Sequence, residues 1–245
     1  MRGDNVKLNE FELDLPYIPN KEFIKTEMDN QGLTIREAKR LDYQKNWKEK
    51  RLLFRLETRC ITAMFERFMS KFENKLFWKV LVEVVEDNKE NSIINQSGVA
   101  TVKVNYSYND FKTLDNYKKK QKALELLLEG IRKISQEYQW NMEEFTKVED
   151  MIKIDDYQNE WYWIKSLENS NKMYNADILC EHEVNFFRIN LIVKNNLNQV
   201  VKKESIDEMP DEFAYAKHLG ELKWVSSKEV VLFNKKGEKF ISIYV

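Results

Sequence analysis

The chain has 245 residues, 42% hydrophobic and 13% aromatic, which is enough to bury a core and too apolar for a disordered polymer despite 33% charged residues. Forty basic against 41 acidic side chains leave a formal net charge of -1, so the chain as a whole has no bias toward nucleic acid or an anionic membrane. Six glycines disfavour glycine-built phosphate loops, and two cysteines, Cys60 and Cys180, exclude a disulfide scaffold.

Leu8, Phe11, Leu13 and Leu15 alternate weakly before Pro16 and Pro19, which reads as an arm or edge strand over residues 1–33. Thr34 then caps a long helix. Its second half carries Leu53, Leu56, Cys60, Met64 and Phe68 at spacings of three and four, widened by Ile61, Phe65 and Phe72. Its first half, 37–51, is mostly charged and either runs along the surface or breaks partway. With so many apolar residues, the helix over 35–72 leaves packing across a two-fold axis, and so a homo-oligomer, open.

Leu76, Trp78, Val80, Val82 and Val84 recur with period two and predict a strand. A polar loop over 87–98 leads to a second, with Ala100, Val102, Val104 and Tyr106 on one face, and the two are expected to pair antiparallel. Asn109 or Asp110 caps a helix predicted to reach Tyr138, and a shorter amphipathic piece runs from Asn141 to about Met151 and ends at Asp155-Asp156. From Glu160 onward strands dominate, over 161–166, 176–186 and 187–193. An acidic loop follows over 204–212, then a helical turn near Phe213, and a closing hairpin turns at Asn234-Lys235-Lys236-Gly237. This order is α+β, with antiparallel sheet packed against two long helices and a mainly β C-terminal half. One domain over 1–245 is expected, with lobes 1–154 and 155–245 as the alternative division at the composition shift.

The N-terminus lacks an apolar stretch with a cleavage site, and no apolar run approaches the ~20 residues of a membrane span, so a cytoplasmic protein is expected. The abundance of Lys, Asn, Glu and Ile points to a genome poor in G and C, bacterial or phage.

Glu181-His182-Glu183 is the tripeptide closest to a general-base or metal cluster. On a strand, however, the two glutamates share one face while His182 shares the other with Ile178, Cys180 and Val184. Cys180 and His182 fall on one face as an imaginable nucleophile pair, but nothing local orients them, and core packing explains both. The four soft donors, Cys60, Cys180, His182 and His218, match no zinc spacing, so neither metal nor cofactor is expected, and His218 reads as a surface residue.

Trp161-Tyr162-Trp163-Ile164 places two indoles on one strand face; the strand is either central core or presents Trp161 and Trp163 as anchors. Charge is segregated. Between Arg36 and Arg59 nine basic residues meet four acidic ones, and Lys118-Lys119-Lys120-Gln121-Lys122 extends the positive surface. Between Glu143 and Glu160 seven acids, Asp155, Asp156 and Glu160 among them, meet two lysines. The 204–212 loop adds five acids, including Asp207, Glu208, Asp211 and Glu212, with no base.

No recognition-helix or RNA-binding pattern accompanies the basic segment. The expected function is therefore a non-catalytic protein-binding protein, of the immunity or inhibitor type, that captures a basic protein partner by acidic steering and aromatic burial. An enzyme with a dispersed site near His182 and a nucleic-acid-associated regulatory protein acting through Arg36 to Arg59 are the alternatives.

Overall fold

The computed structural model describes residues 5–87 and 92–245, so residues 88–91 of the loop read over 87–98 lie outside the described residues. The chain divides into two compact units, Met1–Tyr157 and Gln158–Val245. Each has its own sheets and core.

In the first unit, β1 (Val6–Leu8) pairs antiparallel with β3 (Phe72–Asn74). A second sheet has the order β2 (Glu10–Asp14), β4 (Lys79–Val85), β6 (Val99–Asn105), β5 (Ile94–Gln96). The expectation that β4 and β6 pair antiparallel is wrong: they run parallel, with Val82 opposite Val102. The connection between them is long enough for a crossover, and β5 takes the antiparallel place beside β6. Ser97 and Gly98, with φ of 52° and 81°, form the two-residue β5–β6 turn that right-twisted strands favour. A Cβ on Gly98 would lie 2.6 Å from the Trp78 ring, so close approach and backbone conformation both call for glycine there.

The arm reading of residues 1–33 misses a helix. The prolines separate β2 from α1 (Lys21–Gln31), whose amide at Phe23 is capped by Asn20 at 3.1 Å and which ends at Gly32 with φ 66°. Only Ile24 of α1 is buried, so no apolar stripe announces it.

The long helix is also broken. Thr34 and Glu37 form a capping box on α2 (Ile35–Asp42), a π-turn spans Tyr43–Trp47, and α3 (Lys48–Phe68) carries the core. Its buried face is Phe54, Ile61, Met64 and Phe65, while Leu53 is exposed. The expected helix from Asn109 to Tyr138 is two, α4 (Tyr108–Thr113) capped by Ser107 and α5 (Asn116–Tyr138) capped by Asp115. Helix α6 (Glu143–Ile154) follows. Helices α3 and α5 cover one face of the β2–β4–β6 sheet, where Val80, Val82, Ala100, Val102 and Val104 are buried.

The second unit is a sandwich. One sheet has the order β10 (Val200–Glu208), β9 (Phe187–Asn195), β8 (Tyr174–His182), β7 (Glu160–Glu168); the other is β11 (Glu221–Trp224), β12 (Glu229–Phe233), β13 (Lys239–Tyr244). Every pairing in it is antiparallel. Ile178, Cys180, Phe187, Ile189 and Leu191 of one sheet meet Leu222, Val230, Leu232, Ile241 and Ile243 of the other in a single core. Half of the segment expected as an acidic loop, Glu204 to Glu208, is strand β10; the helical turn is α7 (Glu212–Tyr215).

Candidate functional site

The His182 cluster separates in the structure. His182 is fully buried at the end of β8, its ring edge-on to Phe187 and Tyr215, and its Nε2–H donates to the Pro210 carbonyl at 3.3 Å. Glu181 turns to the outer face, where Asn190 donates to it at 2.7 Å. Glu183 lies past the strand end, its amide donating to the Phe186 carbonyl at 2.8 Å. Burial pushes the Cys180 thiol up to about 12, with the Glu181 charge adding to it, so no thiolate forms near neutral pH. Cys180 and Cys60 are both fully buried. Thiol reagents at pH 8 should label neither in the folded protein and both after denaturation; rapid labelling of the native protein would revive a cysteine-centred chemistry.

His182 instead anchors a turn. Its bond to Pro210, and the Tyr215 ring stacked on Phe187 at 3.4 Å between centroids, fix both ends of residues 210–215 to the sandwich. Asp211 caps α7 by accepting from the Phe213 amide at 2.8 Å. Ala214 and Tyr215 point inward, and Phe213 is left 95% exposed, with Met209 at 61%. A phenylalanine so exposed on a tethered turn is unusual.

The expected acidic residues are dispersed. Asp155 and Asp156 lie in the first unit, where Asp156 accepts from the Tyr117 hydroxyl at 2.8 Å. Glu160 is exposed at the start of β7. Asp207 is clamped by Arg188 at 2.6 and 2.8 Å, and that contact holds its carboxyl below the usual range. Glu208 lies 2.9 Å from Nε2 of His218. His218 is half-buried rather than a surface residue: it stacks on Phe240 at 3.9 Å, and burial lowers its pKa against the opposing Glu208 charge. Glu208, Asp211 and Glu212 flank Met209 and Phe213 in sequence.

Trp161 and Trp163 are half-buried against the core of the second unit, and Tyr162 is the exposed ring, with the Lys165 and Lys194 ammonium groups over it at 5.1 and 5.5 Å. Strand β7 is an edge strand with irregular register between Tyr162 and Ile164, which breaks the parity the sequence implies.

Part of the basic segment is paired with acids. Arg51 pairs with Asp14, Arg55 with Glu12 and Arg59 with Glu66. Lys119 and Lys120 of the lysine run are buried, one on Glu57 at 2.6 Å and the other on the Tyr157 carbonyl at 3.2 Å.

One grouping is invisible in sequence: Asp14, Glu83 and Lys103 stand in one row across three parallel strands. Burial raises the Glu83 carboxyl, Lys103 opposes that, and the Asp14 charge adds to it. Because Arg51 occupies both Asp14 oxygens, the row is closed by its own ion pair. A shallow groove of about 570 Å³ beside β11, lined by Leu219, Gly220, Glu221, Lys223 and Phe233, is open and of mixed polarity. Among the described residues no group of three or more His, Cys, Asp or Glu is arranged to hold a metal, and no helix is long and apolar enough to cross a membrane. No protein-family model, curated protein or solved structure matches the chain.

Proposed function

We propose that the chain is a non-catalytic protein-binding protein that presents the Met209–Phe213 turn to a pocket on another protein. The observation that carries this reading is Phe213, 95% exposed on a backbone tethered by His182, Asp211 and the Phe187–Tyr215 stack. A rigid aromatic side chain is the common anchor of protein interfaces, because it buries much apolar area at small entropic cost. Glu208, Asp211 and Glu212 around it suit a pocket rimmed by Lys or Arg, which fits an immunity- or inhibitor-type protein acting on a basic target. The turn replaces Trp161 and Trp163 as the aromatic anchor, since those indoles already contribute to the core.

The test is a comparison of wild type with Phe213→Ser, each immobilised and exposed to extract of the native host. A protein retained by wild type and reduced at least tenfold by Phe213→Ser, at unchanged circular dichroism, supports the reading. Its association rate should fall with salt and with Asp211→Asn/Glu212→Gln. Identical sets of bound proteins for wild type and Phe213→Ser would overturn it.

A further inference from the structure

Among the described residues strand β10 lies at the end of its sheet with β9 on one side, and residues 200–205 are all exposed. On the far side alternate residues direct N–H and C=O groups outward, a template for another strand. Edge strands are commonly protected by prolines, bulges, lysines and inward-pointing charges, and a strand whose charges are all of one sign also repels its own kind. Here the sequence Val200-Val201-Lys202-Lys203-Glu204-Ser205-Ile206-Asp207-Glu208 has no proline and a bulge only near its start; Lys202, Glu204 and Glu208 lie on the inner face, and the charges run from two positive to three negative, so a second copy of the strand can meet opposite charge.

We infer that β10 pairs antiparallel with β10 of a second copy of this chain, about a two-fold axis at Ser205. In that register Lys202 faces Glu208 of the second copy, Lys203 faces Asp207, and Glu204 faces the uncharged Ile206. A two-fold axis perpendicular to the sheet keeps each residue on its own face, so permitted registers differ by steps of two residues in the paired positions. The step to one side sets Glu204 opposite Glu208 and the step to the other sets Glu204 opposite itself, both like-charge contacts. Only the Ser205-centred register gives both lysines an acid.

The side chains are available for it. Asp207 keeps 47% of its side-chain surface exposed beyond its contact with Arg188, and Lys203 keeps 45%. Lys202 and Glu208 lie on the face toward β13, where the Lys202 amine bonds the Tyr244 carbonyl at 3.0 Å and Glu208 lies 2.9 Å from the His218 ring, contacts that the pairing would share or exchange. Pairing would join two four-stranded sheets into one of eight strands and place the two Phe213 turns at opposite ends of the joined strands. The pairing does not rest on the proposed binding role of that turn.

The experiment is sedimentation of the full chain over a concentration series at low and physiological salt. Wild type should show a monomer–dimer equilibrium weakened by salt. Lys202→Glu/Lys203→Glu and Asp207→Lys/Glu208→Lys should each weaken it at least about tenfold, because each reversal sets like charges opposite one another in every symmetric pair. Mixed in equal amounts, the two variants should form a heterodimer. Ser205→Cys should cross-link to a covalent dimer under mild oxidation, an arm that needs no charge change. Wild type that stays monomeric at every concentration, a dimer indifferent to both reversals, or variants that do not associate when mixed would each overturn the pairing.

Discussion

Gly130→Ala should destabilise the first unit by about 2 kcal/mol, although alanine is the better helix former. A Cβ at position 130 of α5 would sit 2.3 Å from one Val82 methyl carbon and 3.1 Å from a Val102 methyl carbon. Valine is stiff at χ1, so neither methyl can swing away and the helix must lift from the sheet. Overpacking of this kind costs about 3 kcal/mol at the upper end of its usual range, and the helix propensity gained returns about 1 kcal/mol. For a unit of this size the melting temperature should drop by roughly 4–8 °C. A double-mutant cycle isolates the cause: Val82→Ala makes a cavity alone but relieves the clash in the Gly130→Ala background, so the pair should be at least about 1 kcal/mol more stable than additivity gives. An additive cycle would mean that close packing of α5 on β4 is not what requires glycine.

That contact shows what the sequence could and could not disclose. The apolar faces of β4, β6, α3 and α5 are legible because each buries one face and so repeats with its own period. The partner of each face is a long-range fact. Nothing in residues 79–85 and 99–105 distinguishes parallel from antiparallel pairing, and short-range reasoning favours the hairpin that β5 in fact makes with β6. Helix α1 and strand β10 give no local signal for the same reason: one buries a single residue and the other buries none fully, so neither shows a period.

The site divides along the same line. Strand parity is local, and it places His182 inward and Glu181 outward, but parity fails at Trp161 to Ile164 because the register irregularity is set by packing against β8. Charge segregation in the sequence overstates charge on the surface, since Arg51, Arg55 and Lys119 find acids far along the chain and Arg59 finds Glu66 on its own helix. Phe213 carries a faint local signal. Asp211 caps a turn in which Ala214 and Tyr215 take the inward positions, leaving one apolar residue more than a four-residue helix can bury. The row of Asp14, Glu83 and Lys103 and the β10 edge, by contrast, depend on which strands become neighbours.

Asp42 offers the largest effect expected from one polar group. The π-turn after α2 sets its nearly fully buried carboxylate where it accepts from the Tyr17 hydroxyl at 2.6 Å, the Asn20 amide at 2.9 Å and the Asn46 side chain at 2.8 Å. Burial pulls its pKa upward, but the bonds from Asn46, Tyr17 and Asn20 outweigh that and hold it below the ordinary value. Burial, with the bond to Asp42 adding to it, lifts the Tyr17 phenol to about 12. Asp42→Ala strands three donors in a partly closed site and should cost about 3 kcal/mol at pH 7. Asp42→Asn keeps an acceptor and should cost less. Since the folded pKa is depressed, the ionised carboxylate contributes stability above its unfolded pKa, and the contribution is lost as pH falls through the folded value. The gap between wild type and Asp42→Ala in urea unfolding should therefore be full at pH 7 and shrink steadily below about pH 4, the ordinary range of an aspartate. A gap of the same size at pH 3 would show that the carboxylate charge contributes nothing, and that the variant loses only the hydrogen-bond acceptor.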